Sequence, residues 1–204
     1  MKNLVIGMLL LSCFSLNAQK KGYEIGDKIE NFSLENVSGE KVSLADYDGA
    51  NGFIIAFTCN TCPVAQAYEG RLIALDNQFK EQGYPVIAIN PNDPEAQEGE
   101  ALEHMRQRAT DQEFTFPYLY DPDHMVTKKF APTRTPHMFV VQKVDNDMVL
   151  KYIGAIDDSQ DGTPTNLFVE NALTDLMQGK DPSTPTTKAI GCEIKWKKGT
   201  TSSL

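Results

Sequence analysis

The hydrophobic pattern changes period several times along the chain, and the changes mark its elements. Residues 19–51 are mixed, with short alternating pieces, "NFSLENV" and "KVSLAD", on either side of Gly39; they predict a small hairpin ahead of the main fold. "GFIIAF" (52–57) is a continuous apolar run of strand length, as a strand covered on both faces requires. Over 64–80 the period becomes helical. Val64, Tyr68, Leu72, Leu75 and Phe79 share one side, while Gln66, Glu69, Arg71 and Asn77 fall mostly elsewhere. "PVIAIN" (85–90) reads as a second buried strand. Asp93-Pro94 then has the chemistry of a helix start, a capping side chain before a proline at the first helical position. It predicts a helix over roughly 94–109, with only a weak apolar stripe through Leu102 and Met105.

Downstream, "FPYLYD" (116–121) predicts a short strand and 123–130 a short helix. "HMFVVQK" (137–143) and "MVLKYIG" (148–154) flank the turn signal Asp145-Asn146-Asp147 and read as a hairpin. A final helix over about 165–178 carries Phe168, Ala172, Leu173 and Leu176 on one face and ends at Gly179. The tail after it opens Pro/Thr-rich, but its "AIGCEIKW" part is apolar enough to pack on the domain. Strands alternating with helices imply a parallel portion of sheet, and the late hairpin adds an antiparallel edge. The fold class is α/β, with a central mixed sheet flanked by helices.

The first residues follow another rule. "MKNLVIGMLLLSCFSLNAQKK" has a basic start at Lys2, an apolar stretch from Leu4 to Leu16 and small Ala18 before a polar junction. It reads as a secretory signal peptide over 1–18, followed by one domain over 19–180 and a packed tail over 181–204. A retained membrane anchor and lipidation at Cys13 are the less favoured alternatives. No membrane span is expected in the mature chain, since no other apolar run is long enough. Cleavage leaves 18 basic against 28 acidic side chains, a formal charge of −10. A chain so acidic is repelled by nucleic acid, and "KWKK" at 195–198 is too short to reverse that. The expected compartment is the bacterial periplasm.

Three cysteines survive cleavage: Cys59, Cys62 and Cys192. Cys59-Asn60-Thr61-Cys62, followed by Pro63, sits where the first buried strand gives way to its helix, and reactive groups in open α/β sheets gather at the carboxyl ends of strands. Unpaired N–H groups at a helix start favour an anion, so the position predicts a stabilised thiolate at Cys59. Cys62, one turn further in, is placed to resolve the mixed disulfide that Cys59 forms. Other readings stay open. Zinc or copper binding would need further ligands, and there is no second Cys-x-x-Cys. An inert disulfide over so short a loop constrains the unfolded chain little. A c-type haem is excluded by Pro63, where that motif needs histidine. Cys192 reads either as a small buried hydrophobe or as a third redox partner on a folded-back tail. His137 reads as a packed strand histidine or as a neighbour of the dithiol.

"FTCNTCP", "RTPHMFVV" and the strand order together resemble the thioredoxin-like superfamily across roughly residues 24–180. Within it the chain is most similar to bacterial redoxins with the AhpC/TSA domain. "VIAINPND", "YLYD", "YIGAIDD" and "GCEIKW" are similar to a branch that also ends in Gly-Cys-x-Ile-Lys-Trp. The resemblance implies a cis Thr135-Pro136 bond against the dithiol, with Thr135 pairing an extended substrate segment by strand addition. Thioredoxins proper carry Trp before the first cysteine, Gly-Pro between the two, and a buried carboxylate six positions earlier. Here those places hold Thr58, Asn60-Thr61 and Phe53, so the proton acceptor is unassigned. A thiol peroxidase of this family would carry Pro-x-x-x-Thr-x-x-Cys and a polarising arginine. Gly52 and Ala56 stand upstream of Cys59 instead, Ile55 and Cys59 upstream of Cys62, and only Arg71 and Arg134 offer the charge. The reading that results is an exported thiol–disulfide oxidoreductase acting on protein disulfide or dithiol clients with an unidentified redox partner, and with no metal or bound cofactor. An AhpC/TSA-type peroxidase and a copper or zinc carrier are the alternatives.

Overall fold

The computed structural model describes residues 22–160 and 162–199; the expected signal peptide and Cys13 lie outside them. In chain order the elements are β1 (Lys28–Ile29), β2 (Ser33–Asn36), β3 (Lys41–Ser43), β4 (Gly52–Phe57), α1 (Pro63–Phe79), β5 (Val86–Asn90) and α2 (Leu102–Asp111). They continue with β6 (Tyr118–Tyr120), α3 (Met125–Phe130), β7 (His137–Val144), β8 (Asp147–Gly154) and α4 (Phe168–Met177). Among the described residues, eight strands form one sheet in the order β1-β8-β7-β4-β5-β6-β2-β3. β4, β5 and β6 run parallel, because each is joined to the next by a helical crossover. β7 and β8 form the expected hairpin, turning at Asp145 with φ 55. β2 and β3 form the other one, with Leu34 opposite Val42, and extend the sheet beyond β6. This is the expected thioredoxin-like α/β sheet.

β4 lies between β5 and β7, and every one of its residues is buried, which is why its sequence does not alternate. Its side chains divide between two cores. Ile54 and Ala56 join Leu72, Leu75, Phe79, Leu173 and Leu176 from α1 and α4 on one face. Phe53, Ile55 and Phe57 join Val126, Phe130 and Phe139 on the other, where Phe57, Phe130 and Phe139 meet with ring centroids 5.1–5.6 Å apart. Burying these rings from both sides fixes where β4 ends, and with it the cysteine loop. Among the described residues no helix is long and apolar enough to cross a membrane.

The helix expected from Asp93-Pro94 begins later, at Leu102. The Asp93 carbonyl accepts from the Ala96 and Gln97 amides, closing a single turn. The chain then passes through Gly99 at φ 90, a conformation incompatible with a continuing helix. Glu100, next in line, is turned fully inward.

The tail packs on the domain at three places. Pro185–Thr187 pairs with Ile153 of β8, giving Ile153 N–H to Pro185 O at 3.0 Å and Thr187 N–H to Ile153 O at 3.0 Å. Cys192 pairs with Thr135. Lys195 donates its amide to Asn92 Oδ1 (2.9 Å) and accepts from the Asp93 amide (2.8 Å), and Trp196 stacks on buried His124 with ring centroids 4.6 Å apart.

Candidate active site

β4 delivers the cysteine loop and β7 delivers its opposite wall. Phe57, the last residue of β4, is in register with His137, the first of β7, so the segments just outside them face each other. Thr135-Pro136 is cis and Thr135 is fully buried. Cys59 Sγ lies 3.1 Å from Thr135 Oγ1, and Cys62 Sγ lies 3.4 Å from the Thr135 carbonyl oxygen. Cys59, Cys62 and Cys192 form one small apolar cluster with Val64 and Ala65.

The sulfur pairing differs from the sequence expectation. Cys62 is bonded to Cys192, across 130 residues with Cα atoms 5.9 Å apart, and Cys59 is a free thiol. The backbone edge of Thr135, expected to pair with a client, is taken by the tail. Thr135 N–H donates to Cys192 O (2.9 Å), and Cys192 N–H donates to Thr135 O (3.2 Å). Gly191 permits the approach: its φ is 152, and a Cβ there would overlap the Thr135 carbonyl oxygen. Arg134 and Glu193 pair beside this bridge at 3.3 Å.

The expected thiolate at Cys59 is corrected as well. α1 starts at Pro63, so its N-cap is Cys62, and Cys59 lies three residues outside. Cys59 is only 2% exposed. Burial first, and the negative charge of Glu100 second, push its thiol up to about 11, against smaller opposing effects of the Thr135 hydroxyl and of the Cys62 and Thr61 amides.

Glu100 is the functional residue that sequence reasoning missed. Its carboxylate accepts from the Asn60 amide (3.0 Å), the Thr61 amide (3.0 Å), the Thr61 hydroxyl (2.6 Å) and the Asn90 side chain (2.9 Å). Asn60 is held further by Tyr118, whose hydroxyl donates to Asn60 Oδ1 at 2.9 Å, and by its own donation to Gly99 O at 2.8 Å. A single glutamate in a polar stretch carries no periodicity or spacing that marks it.

His137 belongs to the other core. Its Nδ1 accepts the Thr133 amide (3.1 Å) and its ring packs on Phe139. Burial lowers its pKa to about 4. The unfolded chain takes up that proton near pH 6.5, so the stability present above pH 6.5 falls as the pH drops toward 4, by about 3 kcal/mol in all. Denaturant titrations of wild type and His137→Phe between pH 7 and pH 4 should show a clearly shallower loss in the variant; parallel losses would contradict this assignment. Arg71 is half-buried and is held by the buried Asp157 at 2.8 Å, which commits it to that pair.

Residues 25–153 match the model of the AhpC/TSA family. The thiol-disulfide oxidoreductase ResA of Halalkalibacterium halodurans is 34% identical over 70 residues, covering 34% of this chain and 39% of that protein. A 1-Cys peroxiredoxin of Zea mays is 28% identical over 110 residues, covering 50% of this chain and 47% of its own. The chain thus spans well under two thirds of these curated relatives. An uncharacterized conserved protein from Geobacillus kaustophilus, known from its crystal structure, is 31% identical with a TM-score of 0.79, covering 87% of this chain and 94% of that one.

Proposed function

The chain belongs to the AhpC/TSA family, and we propose that it is an exported thiol–disulfide oxidoreductase whose oxidised form is the Cys62–Cys192 bond. The observation that carries this reading is the convergence of three cysteines on the buried Thr135-Pro136 segment. The expected leader supports export, because disulfides form and persist outside the cytosol.

Exchange proceeds through the half-buried sulfur of the pair, Cys192. In the oxidising direction a client thiolate attacks Cys192 Sγ, forms a client–Cys192 disulfide and expels Cys62 as a thiolate. Cys62 is the better leaving group of the loop. It caps a helix of 17 residues with no acidic side chain in the first turn, so the N-terminal N–H groups favour its negative charge. A second client thiolate then attacks the client sulfur and releases Cys192. The client is oxidised by two electrons, and Cys62 and Cys192 end as thiols. The reverse sequence reduces a client disulfide. When the tail lifts, the Thr135 N–H and C=O become available, and an extended client segment takes the place of residues 191–192 by strand addition. The step needs neither metal nor bound cofactor.

Peroxide chemistry suits the site less. A peroxidatic cysteine must be a thiolate at neutral pH, whereas burial and Glu100 hold Cys59 protonated. The test is turnover of a disulfide-bonded peptide with dithiothreitol as donor, and of its reduced form with oxidised glutathione, alongside hydrogen peroxide consumption. Catalysed exchange with slow peroxide consumption is expected. Peroxide turnover without peptide exchange would overturn the reading.

A further inference from the structure

We infer that Glu100 is a positioning residue that keeps Cys59 out of disulfide exchange, its carboxylate filling the anion site that the loop between Cys59 and Cys62 would otherwise offer to a sulfur. The geometry is specific. Both oxygens are used: Oε2 takes the Asn60 amide and Asn90 Nδ2, while Oε1 takes the amide and hydroxyl of Thr61. Successive backbone amides of this kind form a concavity that binds anions. Here a side chain from the far end of the 91–101 connection occupies it, fully buried.

The consequence is a choice between two disulfides. A Cys59 thiolate attacking Cys62 Sγ would form Cys59–Cys62, break Cys62–Cys192 and release Cys192 as a thiolate, with no change in oxidation state. Such attack requires the thiolate, and the fixed negative charge beside Cys59 disfavours it. The Thr135 hydroxyl and the Cys62 and Thr61 amides oppose that charge with smaller effects, and the other titratable groups near Cys59 do not offset it. Tyr118 of β6 is buried, and burial raises its own pKa, so it stays neutral. Arg108 of α2 is neutralised by Glu69 of α1 through a two-pronged pair at 2.5 and 2.8 Å. Cys62 and Cys192 are bonded and do not titrate. Glu100 thereby confines the oxidised state to the tail bond and leaves Cys59 as a guarded third thiol.

This consequence rests on the proposed exchange, but its test does not, since it measures Cys59 alone, with no client present. The rate of Cys59 alkylation by iodoacetamide is followed from pH 7 to 11 in the oxidised protein, for wild type, Glu100→Gln and Glu100→Asp. Losing the charge should move the midpoint down by about a unit, making Glu100→Gln react about tenfold faster at pH 8. Glu100→Asp, which keeps the charge, should stay close to wild type. A merely structural role would raise the plateau and leave the midpoint in place, and that result would overturn the inference. Should Glu100→Gln fail to fold, wild type labelled with 13C at the glutamate carboxyls serves instead. The Glu100 signal should shift as Cys59 titrates, and a Glu100 signal indifferent to that titration would overturn the inference equally.

Discussion

Cys62→Ser is expected to reduce exchange to the uncatalysed background, a fall of at least about a thousandfold. Cys62 is the sulfur common to the tail disulfide and to a Cys59–Cys62 bond, so its loss removes both and leaves only the buried, protonated Cys59 beside Cys192. The advantage forfeited is that of a thiol held beside its partner, for which effective molarities are very large. Serine is nearly isosteric and keeps the extended N-cap conformation at this position (φ −75, ψ 118), so the fold should hold. Cys59→Ser should retain most of the rate, because the Cys59 thiol is buried and protonated at neutral pH. Peptide-disulfide turnover by the two variants checks the point. Full activity in Cys62→Ser with none in Cys59→Ser would reverse the assignment.

The second large effect is on stability. The Cys62–Cys192 bond closes a loop of 130 residues, and a cross-link that long constrains the unfolded chain by about 5 kcal/mol on the loop-closure model. Some of this is returned if the tail stays docked through Lys195 and Trp196 after reduction. For a domain of this size each kcal/mol moves Tm by about 2–4 °C, so reduced protein or Cys192→Ser should melt roughly 10 °C or more below oxidised wild type. Gly191→Val should act in the same direction without touching a sulfur. Its side chain would overlap the Thr135 carbonyl and force the tail off the Thr135 edge. Thermal unfolding followed by circular dichroism, with and without reductant, decides the matter. Coincident melts for the oxidised and reduced protein would show that the tail bond does not restrain the fold.

The sequence revealed the sheet more readily than the site. "GFIIAF" and "PVIAIN" announce buried strands because nothing in them alternates, and both strands are covered on their two faces. The hairpin of β7 and β8 was legible from its turn residues, and the cysteine loop from its place between strand and helix. The sulfur pairing was not legible, because it depends on where a tail 130 residues downstream comes to rest. Spacing within the loop carries no information about that. The thiolate expectation failed on a shift of three residues. The helix field acts at its cap, Cys62, whereas Cys59 lies in a buried loop whose amides Asn60 and Thr61 already serve Glu100. Glu100 falls inside the helix expected over 94–109, and the break at Gly99 that turns it inward is visible only once the backbone is placed.

The linkage of the three sulfurs in the oxidised protein decides which pair exchanges with clients. Free thiols are blocked with an alkylating agent in denaturant at low pH, the protein is digested without reduction, and the peptides are read by mass spectrometry. The expected result is a peptide pair joined through Cys62 and Cys192, alkylated Cys59, and release of two thiols when the pair is reduced. Cys59 joined to Cys62 with Cys192 alkylated would contradict it, and would return the tail cysteine to the role of a packed side chain.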